Sequence, residues 1–206
     1  MNFRRNSYWN NFYSKFSLSD ESNFARFSIK YFKKNSSLLD VACGNGRDTF
    51  FFIKKGIKCK GIDISKIAIK NNSKKLKNTF EVKDACSNKF RIRKKYDYIY
   101  CRFFLHTIDQ ESEKSFLRNI KKVMMKKSKL FLEFRTTKDP MMKKGKKISY
   151  NEVISDHYRR FIDVENFIKN SKEYGFKIVF KASSYNFAKF KNERPHICRM
   201  ILRKTN

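Results

Sequence analysis

Residues Ser37 to Phe52 read SLLDVACGNGRDTFFF, and this stretch sets the fold. Leu38, Leu39 and Val41 surround Asp40 in a short apolar run. The chain then turns on Gly44 and Gly46 and enters a second apolar run at Thr49 to Phe52. Strand, tight loop and helix is the reading of that pattern. Such a unit cradles a nucleotide in an open α/β sheet: glycines let the backbone approach a ligand, and the first helical turn offers free N–H groups. It is not the dinucleotide fingerprint G-x-G-x-x-G, because Thr49 stands where a third small residue is needed.

Outward from this unit the chain keeps alternating. Gly56 ends the first helix, and IKCKGIDI forms a second strand closing on Asp63. An acid about 20 residues after a glycine loop, at a strand's carboxyl end, is placed to accept from both ribose hydroxyls; the plainer role is a cap on the helix expected over Ser65–Lys75. Phe80–Val82 is a third strand, followed by Asp84. Tyr96–Cys101 is a fourth, feeding Arg102-Phe103-Phe104-Leu105-His106. A helix is expected over 111–126, a fifth strand over Lys129–Arg135, a helix over Val164–Tyr174 and a terminal antiparallel hairpin from Phe176–Ala182 and His196–Leu202. Before the sheet, Trp9, Phe12, Tyr13 and Phe16 share one helical face. Phe24, Phe27 and Tyr31 follow in a second helix, capped at Ser19 or Asp20.

Asp40 to Gly46, D-V-A-C-G-N-G, resembles the first motif of class I S-adenosylmethionine-dependent methyltransferases, an acid followed by x-G-x-G-x-G. Ala42 replaces the first glycine. With Asp63 in the expected order, the resemblance covers residues 37–204. It implies an α/β, Rossmann-like seven-stranded sheet with helices on both faces, the terminal hairpin and an N-terminal helical extension. It implies one domain over 1–206, with a helical lid at 1–36, a cofactor half at 37–135 and a substrate-side half at 136–206. S-adenosylmethionine would be the cofactor and S-adenosylhomocysteine the product. Asp40, Ala42, Cys43, Gly44 and Gly46 would cradle the methionine part, with Asn45 and Arg47 at the rim. Asp63 and Ile64 would meet the ribose, Asp84, Ala85 and Cys86 the adenine, and Cys101 and Arg102 the methyl end. Tyr8, Trp9 and Tyr13 would cover the cofactor, as polar-tipped rings suit a ligand wall.

On the acceptor side, C-R-F-F at 101–104 differs from the D/N-P-P-Y/F of base-amino methyltransferases, and no Pro-Cys pair marks a cysteine-nucleophile RNA enzyme. His106 and His157 are the candidate bases for a hydroxyl acceptor. Arg102, Arg159 and Arg160 are the candidate catalytic charges, and Arg135, Tyr158, Arg159, Arg160 and Arg194 the candidate substrate contacts. The run Asp156–Phe161, DHYRRF, suits an anionic acceptor, since guanidinium pairs bidentately with phosphate or carboxylate; the plain alternative is a solvated basic surface. The expected reaction is methyl transfer to O or N of a small anionic metabolite. A weaker likeness, through RFFLH, DHYRRF and RPHICR, is to enzymes of capsule or surface-polysaccharide biosynthesis. Two other readings stand beside it: an RNA methyltransferase, and a non-catalytic cofactor-binding protein whose acceptor pocket is closed.

Composition bounds these readings. A chain of 206 residues, 40% hydrophobic and 16% aromatic, has enough apolar material for one core. No run reaches the ~20 apolar residues of a membrane span. Five scattered cysteines without C-x-x-C are read as reduced thiols of a cytoplasmic protein, and no spacing with the three histidines suggests a metal. The net charge of +30 comes mainly from Lys spread along the chain, with pairs at expected helix ends. An A/T-biased genome explains it blandly; a nucleic-acid surface explains it functionally.

Overall fold

A computed structural model describes residues 2–15, 20–189 and 192–205. Helix α1 (Asn2–Lys15) and short helix α2 (Asn23–Ser28) precede the sheet. Then come β1 (Ser37–Val41), α3 (Arg47–Lys54), β2 (Lys58–Asp63), α4 (Lys66–Lys75), β3 (Phe80–Val82) and β4 (Tyr96–Arg102). Helix α5 (Gln110–Lys122) leads into β5 (Met124–Arg135). A small antiparallel sheet of β6 (Lys146–Lys147), β7 (Glu152–Ile154) and β8 (Tyr158–Arg160) follows. Helix α6 (Val164–Glu173), β9 (Phe176–Ser184) and β10 (Ile197–Lys204) complete the described chain.

The main sheet has seven strands in the order β3-β2-β1-β4-β5-β10-β9. β10 is antiparallel to both neighbours; the other strands run one way. Successive strand residues face opposite sides, and this divides the core. Leu39, Ile99, Cys101 and Leu132 pack with Phe116 and Leu117 of α5 and Phe167 of α6. Leu38, Tyr98, Tyr100 and Phe131 pack on the other face with Phe24 of α2 and Phe52 of α3. Helices therefore cover both faces, as a mostly parallel sheet requires. The order reverses between β1 and β4, and ligands of open α/β sheets bind beside the carboxyl ends at such a point.

Three expectations need correction. The α2 cap is Ser22, whose Oγ accepts from the Ala25 N–H at 3.0 Å; Ser19 and Phe16 lie outside the described residues. The helix expected over 111–126 ends at Lys122, and its strand starts at Met124. Ser128 explains this by tying the two strand starts together: its hydroxyl donates to the Tyr96 carbonyl and accepts from the Met125 N–H. The stretch between Arg135 and Val164, for which the sequence pattern gives no element, is not all loop, because its residues 146–160 build the second sheet.

Candidate active site

The glycine loop folds through consecutive left-handed turns. Ala42, Gly44 and Gly46 have φ of 58°, 53° and 75°. Ala42 thus holds a conformation that suits glycine, at a cost of roughly 1–2 kcal/mol. Gly44 is required for another reason: a Cβ there would lie 2.2 Å from the Tyr13 hydroxyl oxygen. Asp63 fastens the loop. One carboxylate oxygen accepts from the Gly44 N–H at 2.9 Å and the other from the Ser65 N–H at 2.8 Å. The cap of α4 is Ser65 rather than Asp63, since its Oγ accepts from the Ala68 N–H. Asp40 is buried and accepts from the Thr49 hydroxyl at 2.6 Å. Burial pushes its carboxyl well above the usual range, with the Thr49 bond opposing and Asp48 and Asp63 adding to it.

A cavity of about 540 Å³ opens over this loop, at the carboxyl ends of β1, β2, β4 and β5. Asp40, Ala42, Cys43 and Asn45 line its floor, with Asp63 and Ile64 beside them. Arg102, Phe103 and His106 form one wall and Tyr8, Trp9 and Tyr13 of α1 another. Helix α1 is held by specific bonds. Asn10 Oδ1 accepts from the Ser65 hydroxyl at 2.9 Å, and Tyr8 donates to Asp156 Oδ2 at 2.9 Å. Phe103 has φ of 53°, a strained value for an aromatic residue, and its ring lies 4.1 Å from the Arg102 guanidinium carbon.

The two cavity histidines differ. Nδ1 of His106 accepts from the Arg135 backbone N–H at 3.4 Å, so its neutral ring carries the proton on Nε2 and serves as a donor. Burial, then Arg135, lowers its pKa well below 6.5. His157 Nδ1 lies 3.1 Å from Asp156 Oδ2. Despite the cost of partial burial, bonds from Arg159, Ser155 and Tyr8 hold Asp156 well below the usual carboxylate range. An ionised carboxylate only accepts, so His157 donates from Nδ1 and leaves Nε2 as a lone pair. Burial, then Arg159, lowers the His157 pKa to about 4. The ring packs 4.5 Å from Tyr8 and 5.4 Å from Trp9, centroid to centroid.

Each arginine of this region already has an acid. Arg102 and Arg199 donate to buried Glu133 at 2.9 and 2.8 Å. Arg135 donates to both Asp139 oxygens and to Glu193 at 3.0 Å. Arg159 bonds Asp156 at 2.6 Å, and Arg160 bonds Glu113 on α5.

A model of the methyltransferase domain matches residues 10–180. The chain belongs to the methyltransferase family. Its fold agrees with solved structures at low identity. A Methanosarcina mazei S-adenosylmethionine-dependent methyltransferase has a TM-score of 0.73 at 15% identity, covering 87% of this chain and 97% of that one. A Clostridium acetobutylicum S-adenosylmethionine-dependent methyltransferase gives 0.70 at 16%, covering 89% and 92%. The CcbJ methyltransferase of Streptomyces caelestis gives 0.72 at 10%, covering 98% and 99%. No curated protein sequence matches the chain. Family, fold and the Asp40–Gly46 motif together make it a class I, S-adenosylmethionine-dependent methyltransferase.

The methyltransferase gathers most of the expected residues around one cavity, but not all. Asp84, Ala85, Cys86 and Cys101 are not among the lining residues: Asp84 Oδ1 accepts from the Cys86 N–H in a turn, and Ala85 and Cys101 are core. Arg159 and Arg160 do not act as a pair. They alternate across β8, Arg159 toward the cavity and Arg160 toward Glu113 and the Ile108 carbonyl. Tyr158 donates to Glu152 at 2.5 Å, outside the cavity. Arg194 is exposed and outside it too, whereas the neighbouring Glu193 lines it. Sequence reasoning passed over Asp48, which accepts from the Ser22 N–H and from the Ser22 and Tyr100 hydroxyls at 2.7 Å each. An acid in the first turn after a glycine loop was the available signal. Nothing in sequence pointed to Glu133 or Glu193. All five cysteines are free thiols, and among the described residues no helix is long and apolar enough to cross a membrane.

Proposed function

We propose that this methyltransferase methylates a hydroxyl or amine of a small acceptor, with His157 as general base. The observation that carries it is the Tyr8–Asp156–His157 chain on the cavity wall. The cofactor fits the opposite side of the same cavity. Asp40 and Asp63 line this side, where carboxyl groups at strand ends suit the amino end and a ribose hydroxyl of the cofactor. The Tyr13 ring packs against the Gly44 backbone and closes this side of the cradle. Bound there, S-adenosylmethionine supplies an electrophilic methyl carbon on a sulfonium.

The chain's own residues do the rest. Tyr8 and Arg159 keep Asp156 ionised, and Asp156 orients His157. Nε2 of His157 takes the proton as the acceptor atom gains its methyl group. His106 donates from Nε2 and fixes the acceptor's second polar group. Tyr8, Trp9 and Phe103 exclude water, and positioning supplies most of the acceleration. An anionic acceptor group can meet Arg135 by replacing the half-exposed Glu193 carboxylate. Surface-polysaccharide intermediates remain the acceptor class that the sequence resemblance implies.

The test is His157→Gln with calorimetry and turnover on an acceptor panel. Turnover falls about 10²–10⁴-fold, while S-adenosylhomocysteine affinity is unchanged. In the parent enzyme kcat/KM stays flat as pH drops through 6.5, because this imidazole protonates only near pH 4. Full turnover in the variant would overturn the assignment.

A further inference from the structure

Many exposed lysines gather at one end of the main sheet, besides the exposed Lys143, Lys144, Lys146 and Lys147 near the other. In a parallel sheet the loops entering the strands all lie at one end, opposite the ligand cavity. Exposed Lys33 and Lys34 precede β1, Lys54 and Lys55 precede β2, and Lys74, Lys75 and Lys77 precede β3. Exposed Lys94 and Lys95 precede β4, and Lys177 opens β9. Antiparallel β10 brings its last residues, Arg203 and Lys204, back to the same end.

Helix dipoles account for part of this, since cations favour helix C-termini. They do not account for Arg93-Lys94-Lys95, which follows no helix. Nor do they account for the start of β5. There the register with β4 jumps from Tyr96↔Met124 to Tyr98↔Lys129, so residues 125–128 loop out and expose Lys126 and Lys127. Among the described residues, Asp97 and exposed Glu173 are the acids at this end. Asp97 is already engaged with the Ser37 N–H and hydroxyl. Among the described residues these lysines take part in no ion pair, whereas the cavity arginines all do.

We propose that this amino-end face is a docking surface for the sugar–phosphate backbone of nucleic acid, separate from the methyl-transfer site. Seven strands at ~4.8 Å spacing make a strip about 29 Å long, and phosphates recur every ~3.4 Å along one strand of a duplex. The strip therefore spans several consecutive phosphates. Tyr31, 37% exposed beside Lys33, adds a ring of the kind on which bases stack. The seven residues of β4, about 23 Å of strand, separate this face from the cavity. The polymer is a tether there and not the methyl acceptor.

The experiment measures binding of a mixed-sequence single-stranded RNA to the full chain by fluorescence anisotropy. With about five phosphates engaged, raising salt from about 50 to about 200 mM lowers affinity ~100-fold. Lys94→Glu/Lys95→Glu/Lys126→Glu/Lys127→Glu loses at least about tenfold at low salt, two or more phosphate contacts' worth. Lys143→Glu/Lys144→Glu, at the other end, keeps the parent affinity. Unchanged S-adenosylhomocysteine binding in both variants verifies that they are folded. Absence of RNA binding at low salt would overturn the proposal, as would equal loss in the two variants. So would binding to phosphatidylserine vesicles without binding to RNA, or incorporation of labelled methyl groups into the RNA.

Discussion

The two ends of the sheet handle charge in opposite ways. At the cavity end, acids and arginines are buried together: Glu133 sits between Arg102 and Arg199, Asp139 beside Arg135, Glu113 beside Arg160. At the opposite end, lysines stand in solvent outside any ion pair among the described residues. Guanidinium is weakly hydrated and presents a planar fork, so it tolerates burial against a carboxylate; ammonium is strongly hydrated and stays outside. A composition of +30 therefore conceals a molecule whose functional cavity is nearly balanced and whose excess lies elsewhere.

Removing one charge from each end tests that contrast most severely. Glu133→Gln leaves two buried guanidiniums without a carboxylate and destabilises by about 3–5 kcal/mol, whereas Lys95→Gln stays within about 0.5 kcal/mol. Denaturant titration of both variants measures the gap, and equal effects would erase the distinction. pH gives the next test. His106 and His157 are held neutral when folded, so below pH 6.5 these two sites bind more protons in the unfolded chain than in the folded one. Their contribution to stability therefore falls as pH drops from 6.5 toward 4, opposed by the raised Asp40 carboxyl, and depressed Asp156 adds a loss of the same sign at still lower pH. His106→Gln/His157→Gln loses this contribution, and the difference between its profile and the parent's isolates the histidines of the cavity end; identical profiles would remove them from the contrast. Gly44→Ala is smaller, about 1–2 kcal/mol of backbone strain, but it drives Tyr13 from the loop. Trp9, the sole tryptophan, lies 6.0 Å from Tyr13, so its fluorescence reports that displacement. Ala42→Gly is smallest: relief of about 1–2 kcal/mol of left-handed strain, less the ~0.4–1 kcal/mol entropy cost of glycine, yields a net gain of about 0–1.6 kcal/mol.

The sheet and the acids at the carboxyl ends of β1 and β2 were legible because they follow one another in the chain. A strand, its glycine turn and its helix are local, and Asp63 recurs at the end of the next strand. What failed was anything decided by a distant partner. Adjacent Arg159 and Arg160 look like one clamp, yet a strand sends neighbours to opposite faces, and the acids that claim them are Asp156 and Glu113. Arg194 looked like the contact, but the chain turns Glu193 inward to meet Arg135, 58 residues away. The 146–160 sheet was missed because its strands are two or three residues long, too short for a period to show. Val123 to Met125 fit a helix period, and only pairing with Tyr96 makes them strand.

Helix α1 does more than roof the cavity. Asn10 completes the hydrogen bonding at the start of α4, and Tyr13 rests on Gly44, the residue whose N–H Asp63 holds. A spent cofactor leaving this cradle would have to unseat α1, giving up bonds that also steady the loop. Emptying the site, rather than the methyl transfer, would then set the pace of successive turnovers, with a measurable burst of product in the first one.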